Sequence, residues 1–156
     1  MNEPQARLDI QRRQRLGMVE AVWGEHKSTE QIVEILRNLQ AAGELGLVTR
    51  VCSEKAELIQ GFCKTAKFHS QARCLTLGAP PDTNRSLGEV AILSGGTSDL
   101  EVAAEAKLAL QWHGIKAELI LDVGVAGLHR LLDQLERLKR AKVLIVCAGL
   151  EGALPT

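Results

Sequence analysis

The residues best suited to chemistry lie in three glycine-rich segments, and each segment directly follows a short apolar run. Residues 94–99 combine two glycines with hydroxyl side chains and an aspartate. Residues 122–130 end in a histidine and an arginine, and residues 148–154 contain a glutamate. Amides and hydroxyls can hold phosphate, a guanidinium suits phosphate or carboxylate, and carboxylates or imidazole can transfer protons. The set therefore points to the binding and conversion of an anionic ligand.

The first segment has the order strand, glycine turn, helix start, which is typical of an anion cradle. Gly95 and Gly96 allow the backbone to approach a ligand closely, and the first free N–H groups of the helix point at it. Ser98 or Asp99 can cap this helix, and either can instead reach the ligand. A bare carboxylate repels an anion, so Asp99 is better suited to a ribose hydroxyl, a metal ion or a transferring proton.

The other two segments supply complementary groups. Arg130 offers a fixed cationic fork for phosphate or carboxylate. His129 is either a functional group or a helix-packing residue, and both interpretations stay open. Glu151 is a candidate acid or base whose pKa would rise on burial.

Composition limits the class of protein. The 156 residues are 46% hydrophobic, and 19 basic side chains balance 19 acidic ones. With two Trp, two Phe and no Tyr, the chain lacks both the basic surface and the stacking platforms of a nucleic-acid binder. No apolar run is long enough for a membrane span or a signal peptide, and the four cysteines form no Cys-x-x-Cys pair. We expect a cytoplasmic protein with free thiols, without nucleic-acid or membrane partners.

The elements that must position these groups fall into two parts. Residues 1–77 predict a small α/β module, in which Ser28 and Gln31 form a capping box and Ser53 caps a second helix. Residues 78–88 contain two of the four prolines and predict a linker.

Residues 89–156 predict a three-layer α/β/α, Rossmann-like parallel sheet. Apolar strands at 90–93, 117–121 and 143–146 alternate with helices, one of which carries a leucine stripe over 128–138 that we expect to be core. Ligands bind at the carboxyl ends of such strands, so the three segments should converge. The last strand would be an open edge, and we expect the sequence to continue beyond Thr156 in a parent protein.

These segments resemble the aminoimidazole ribonucleotide (AIR) carboxylase family, PurE-like proteins that carry Gly-Ser-x-Ser-Asp, Ser-Ala-His-Arg and Gly-Ala-Ala-His-Leu-Pro in the same order. The resemblance is closer to the LarB branch, which makes the nickel-pincer cofactor and whose members are also called circadian phase modifiers. It is carried by Gly-Thr-Ser-Asp-Leu (96–100), Asp-Val-Gly-Val-Ala-Gly-Leu-His-Arg (122–130) and Ala-Gly-Leu-Glu-Gly-Ala-Leu-Pro (148–155). Trp-Gly-Glu-His-Lys (23–27) and Val-Thr-Arg-Val (48–51) are similar to that branch's N-terminal module.

The resemblance implies carboxylation of nicotinic acid adenine dinucleotide, or a related nucleotide, and hydrolysis of its phosphoanhydride. The products would be pyridinium-3,5-biscarboxylic acid mononucleotide and AMP, with CO2 or bicarbonate as co-substrate, Mg2+ as the ion and no redox cofactor. A homo-oligomer is also implied. The candidate catalytic residues are Asp99, His129 and Glu151, and the candidate substrate-binding residues are Gly96, Thr97, Ser98, Gly127, Arg130, Gly152 and Lys27.

One departure leaves other functions open. No residue matches the family cysteine that can attack the pyridinium ring, and Cys147, on the third strand, is predicted to be core. The alternatives are a non-catalytic nucleotide-binding or regulatory module, an AIR carboxylase-like step of purine biosynthesis, and a fragment that pairs its open edge with a partner. The purine enzyme's histidine is absent from residues 148–155, which argues against its substrate.

Overall fold

Two sheets, each with its own helices, divide the chain into two units. A computed structural model describes residues 8–84, 88–149 and 152–155. The units are Met1–Pro80 and Pro81–Thr156. No helix among the described residues is both long and apolar enough to cross a membrane.

The first unit is built on a mixed sheet in the order β1-β2-β4-β3. Strands β1 and β2 are parallel, and the other neighbours are antiparallel. Its described elements are β1 (Ala21–Trp23), β2 (Gly46–Thr49), β3 (Lys67–His69) and β4 (Cys74–Leu77), with α1 (Arg12–Leu16), α2 (Thr29–Ala41) and α3 (Ser53–Phe62).

The starts of the two longer helices test the predicted caps. The capping box before α2 is confirmed: the Gln31 amide donates to Ser28 Oγ at 3.2 Å, and the Ser28 amide donates to Gln31 Oε1 at 2.9 Å. The predicted cap of α3 is wrong. Cys52 has the extended backbone of an N-cap (φ −77°, ψ 163°), so Ser53 is already the first helical residue.

The second unit contains the predicted parallel sheet, and the fold class is confirmed. Its strands are β5 (Glu89–Ser94), β6 (Lys116–Ile120) and β7 (Val143–Cys147), in the order β6-β5-β7 with both pairs parallel. The helices between them are α4 (Leu100–Trp112), α5 (Leu128–Leu132) and α6 (Leu135–Leu138). One side of the sheet packs against α4 through Ile92 and Ala103. On the other side, Leu93 and Ile120 pack with Leu131 and Leu138.

The leucine stripe is only partly core, so that prediction is corrected. Leu131 and Leu138 pack against the sheet, but Leu128, Leu132 and Leu135 are about half exposed. The helix is also divided into α5 and α6. Helices of this length have marginal stability unless they pack against other elements. Within the described residues of this unit, these three leucines lack such packing.

Candidate functional site at the carboxyl edge of the parallel sheet

The loops that follow β5, β6 and β7 are joined through their backbones. The Gly95 amide donates to the Cys147 carbonyl at 2.9 Å, and the Val123 amide donates to the Ser94 carbonyl at 3.0 Å. A Cβ at Gly95 would lie 3.0 Å from Ala148 Cβ, and a Cβ at Gly124 would lie 2.5 Å from the Gly95 carbonyl oxygen. The close approach of the three loops therefore depends on glycine at these two positions.

Ser94 links two of the loops and was not among the predicted site residues. It is 1% exposed. Its hydroxyl donates to the Gly96 carbonyl at 3.2 Å and accepts from the Asp122 amide at 3.4 Å. A serine that ends a buried strand just before two glycines was the available signal, because a buried hydroxyl needs hydrogen-bond partners.

The Asp99 carboxylate is used inside its own loop. Its Oδ2 accepts the Gly96 amide at 2.8 Å, and the Gly95 amide is already bonded to Cys147. Neither glycine amide is therefore free to bind an anion. Asp99 is the N-cap residue of α4 but makes no side-chain cap bond there. Its carboxylate instead accepts the amide of Gly96, the N-cap of the preceding 3-10 turn. Thr97 and Ser98 are the first two residues of the 3-10 turn Thr97–Asp99, so their amides are among the N-terminal N–H groups of a helix, which have no intrahelical acceptor.

Cys147 lies beside this carboxylate and is buried, as predicted for a core residue. Burial raises the pKa of the Cys147 thiol above its usual range, and the negative charge of Asp99 raises it further. The thiol is therefore protonated at neutral pH and is a poor nucleophile.

Arg130 is held by the loop after β6. Its Nη1 donates to Asp122 Oδ2 in an ion pair, and Asp122 has a left-handed backbone (φ +56°). A Cβ at Gly127 would lie 2.4 Å from Arg130 Nε, so the absence of a side chain there leaves room for the guanidinium. His129 is exposed on α5, and its backbone carbonyl accepts the Asp133 amide at 3.0 Å.

The remaining predicted residues are Glu151, Gly152 and Lys27. Glu151 lies outside the described residues. Gly152 has a positive φ of 74°, and a Cβ there would have only Pro155 within 4 Å among described atoms. Lys27 is in the first unit, where its carbonyl accepts from Lys55 Nζ at 2.9 Å.

At the opposite end of the strands, beside the first residues of β5 and β6, lies a cavity of about 450 Å³. None of the predicted residues lines it. Its lining charges include two ion pairs, Lys116 with Glu89 and Arg137 with Glu118. The carboxyl edge differs, because it presents the Asp99 carboxylate, the paired Arg130 and two open amides. These groups can hold a phosphate or carboxylate beside a proton acceptor.

Two comparisons place the chain among known proteins. Residues 2–79, half of the chain, match the LarB/PurE-like N-terminal domain. The uncharacterized protein MJ0165 of Methanocaldococcus jannaschii is 34% identical over 163 aligned positions, which cover 99% of this chain and 63% of the relative. The chain thus spans less than two thirds of that relative's length. The domain match shows that the chain belongs to the LarB/PurE-like family.

Proposed function

We propose that the chain supplies the carboxyl-edge site of a LarB-type carboxylase and hydrolase. Family membership indicates a carboxylase-type enzyme. The proposed reaction replaces a ring hydrogen of nicotinic acid adenine dinucleotide by carboxylate, and water cleaves the phosphoanhydride. The products are pyridinium-3,5-biscarboxylic acid mononucleotide and AMP. The observation that supports this most is the contact of Gly95 with both Gly124 and Ala148, because it gathers three polar loops at one edge.

Each side chain of these loops has a role suited to its surroundings. Asp99 is the candidate acceptor for the proton that leaves the ring, or a ligand for a ribose hydroxyl. Arg130, oriented by Asp122, binds a carboxylate or phosphate. The open amides of Thr97 and Ser98 hold a phosphate oxygen. His129 and Glu151 remain candidate acid–base groups, and Gly96, Gly127, Gly152 and Lys27 remain candidate substrate contacts.

Magnesium fits this site as an ion carried by the substrate. No group of three or more His, Cys, Asp or Glu side chains suited to a metal ion occurs among the described residues. Mg2+ commonly binds through one or two carboxylates together with substrate phosphates. Asp99 is the residue that would hold it, and the ion would neutralise charge on the pyrophosphate. Bicarbonate or CO2 is the proposed co-substrate.

A non-catalytic nucleotide-binding module is the second candidate. It is favoured by the raised pKa of Cys147, which leaves no thiolate among the described residues of this edge at neutral pH. The engagement of the Gly95 and Gly96 amides also reduces the number of groups available to stabilise a reacting anion.

The test supplies the dinucleotide, 13C-bicarbonate and Mg2+ to the full chain and measures AMP release and 13C incorporation by mass spectrometry. We expect Asp99→Asn and Arg130→Gln to reduce AMP release by tenfold or more, on the order expected for a lost acid–base or charged contact. Asp133→Asn and Arg140→Gln change equivalent charges on exposed residues outside the site, so they should act like wild type. Dinucleotide binding without AMP release would favour the second candidate, and absence of binding would exclude both.

A further inference from the structure

Trp23, the last residue of β1 in the first unit, exposes an aromatic ring. Trp23 is 57% exposed, in a chain with two Trp, two Phe and no Tyr. It ends β1, so it lies at the carboxyl end of the parallel pair β1/β2. Loops at such strand ends commonly carry binding residues.

The backbone of this loop is fixed against the end of β2. The Gly24 amide donates to the Thr49 carbonyl at 2.8 Å. A Cβ at Gly24 would lie 2.9 Å from each of three atoms, the Thr49 oxygen, Val48 Cγ1 and Val51 Cγ2. Glycine is therefore required for the loop to pack this closely.

The Lys55 ammonium group holds the loop from the other side. It donates to the carbonyl oxygens of Gly24 at 3.2 Å, Glu25 at 3.2 Å and Lys27 at 2.9 Å. A lysine has three donors, and here all three are directed at the backbone of one turn. This arrangement fixes residues 24–27 and leaves their outward side chains available.

Two side chains of the turn contact the indole of Trp23. Trp23 Nε1 donates to Glu25 Oε2 at 3.1 Å. The His26 ring meets the indole edge-on, with centroids 5.0 Å apart and an interplanar angle of 65°. Trp23 is thus contacted by two side chains of the turn, one of them a carboxylate, while 57% of the residue remains exposed.

We propose that Trp23 and Glu25 form a binding platform for a planar cationic heteroaromatic ring of the pyridinium class. The indole face attracts cations through its quadrupole, and Glu25 adds a complementary negative charge. An uncharged ring of the same shape gains only the stacking. The inference rests on the proposed function, since the substrate of that function carries a pyridinium ring.

The test uses 19F NMR of the full chain labelled with 5-fluorotryptophan. Two tryptophans give two signals, assigned with Trp23→Phe, and buried Trp112 is the internal control. The probes are 1-methylnicotinamide, a cation, and uncharged nicotinamide, which has the same ring. We expect a saturable shift of the Trp23 signal alone, with 1-methylnicotinamide binding at least fivefold more tightly than nicotinamide.

Variants separate the platform from general surface effects. Binding to the variants is measured by saturation-transfer NMR observed on the two probes, because Trp23→Ala lacks the fluorotryptophan signal. Trp23→Ala should weaken 1-methylnicotinamide binding tenfold or more, and Glu25→Gln should remove most of the advantage of 1-methylnicotinamide over nicotinamide. Phe62→Ala alters another exposed aromatic residue of the same unit (63% exposed) and should have no effect. The proposal would be overturned if the two probes bound equally well or if AMP bound as tightly as 1-methylnicotinamide. It would also be overturned if Trp23→Ala bound 1-methylnicotinamide as tightly as wild type.

The two proposals fail separately. Release of AMP from the dinucleotide with no probe binding at Trp23 would leave the proposed function and remove the platform. Probe binding at Trp23 without AMP release would leave the platform and remove catalysis.

Discussion

The two units use similar elements but cover their apolar faces to different extents. In the first unit, the apolar stripe of α2 is buried, and Leu36 is 0% exposed. In the second unit, Leu132 is 50% exposed although it belongs to a segment with several leucines, residues 128–138. The strand β7 also has apolar residues that are incompletely buried, since Val143 and Leu144 are about half exposed. The spacing of apolar residues therefore indicates which face of a helix or strand favours burial. It does not show whether the same unit contains other residues that pack against that face.

The largest effect is expected from core truncation in the first unit. Leu36→Ala should lower the free energy of unfolding of that unit by about 2–5 kcal/mol, because it removes fully buried methyl groups and leaves a cavity. Leu132→Ala should lower the stability of the second unit by less than about 1 kcal/mol, since much of its side chain is already solvated. Urea unfolding followed at Trp23 for the first unit and at Trp112 for the second measures both.

Equal losses in these two variants would contradict the comparison. That result would mean that Leu132 is covered in solution to the same extent as Leu36. Repeating the titration over a range of protein concentrations would then show whether a second molecule provides the cover, because only association makes the midpoint concentration-dependent.

An intermediate effect is expected where the second unit is tightly packed. Gly124→Ala places a Cβ 2.5 Å from a backbone oxygen, so the loop must shift, at a cost of about 1–3 kcal/mol. The φ of Gly124 is −59°, which alanine adopts readily, so the clash is the expected cause. Gly149→Ala is the matched control, because a Cβ there has nothing within 4 Å among the described atoms.

Unfolding followed at Trp112 measures this pair of variants. If both alanines have the same effect, the contact between the loops after β5 and β6 does not limit stability. A loss confined to Gly124→Ala would show that the carboxyl edge is as tightly packed as the core of the first unit.

The smallest effect is a pH dependence in the first unit. Burial lowers the pKa of His69, the positive charge of Lys67 lowers it further, and His69 Nε2 is 2.9 Å from Thr76 Oγ1. Below about pH 6.5 the unfolded chain binds a proton that the folded unit resists. Stability should therefore be constant above that pH and fall as the pH decreases through the lowered folded-state pKa.

His69→Gln keeps a hydrogen-bonding group next to Thr76 and should flatten this part of the pH curve. His26→Gln, which changes an exposed histidine of the same unit, should leave the curve as in wild type. Urea midpoints at a series of pH values, followed at Trp23, test both. A steeper decline in His69→Gln would reverse the sign of the argument.

The sequence predicted the elements that depend on local chemistry. Ser28 with Gln31 predicted a cap that forms, and residues 74–77 were predicted and observed as a strand. The strand Lys67–His69 was missed, because Phe68 is its one apolar residue and its stability depends on pairing with β4. The division of α5 from α6 was missed because the packing that would sustain one long helix is not encoded by the apolar pattern itself.

The site was predictable in outline. The rule that loops converge at the carboxyl ends of parallel strands correctly brought the neighbourhoods of Gly95, Gly124 and Ala148 together. The bond from Gly96 to Asp99 and the ion pair of Arg130 were not predictable, because both depend on side-chain rotamers within reach of several partners. These internal bonds decide which groups remain open to a ligand.

The backbone bonds from Gly95 to Cys147 and from Val123 to Ser94 continue the sheet's hydrogen bonding just beyond the strands. A small molecule that binds beside Gly95 and Val123 meets backbone that is already hydrogen-bonded in the fold, so little conformational entropy of these residues is lost on association. Its association rate should then be governed by diffusion and orientation, without a slow loop rearrangement.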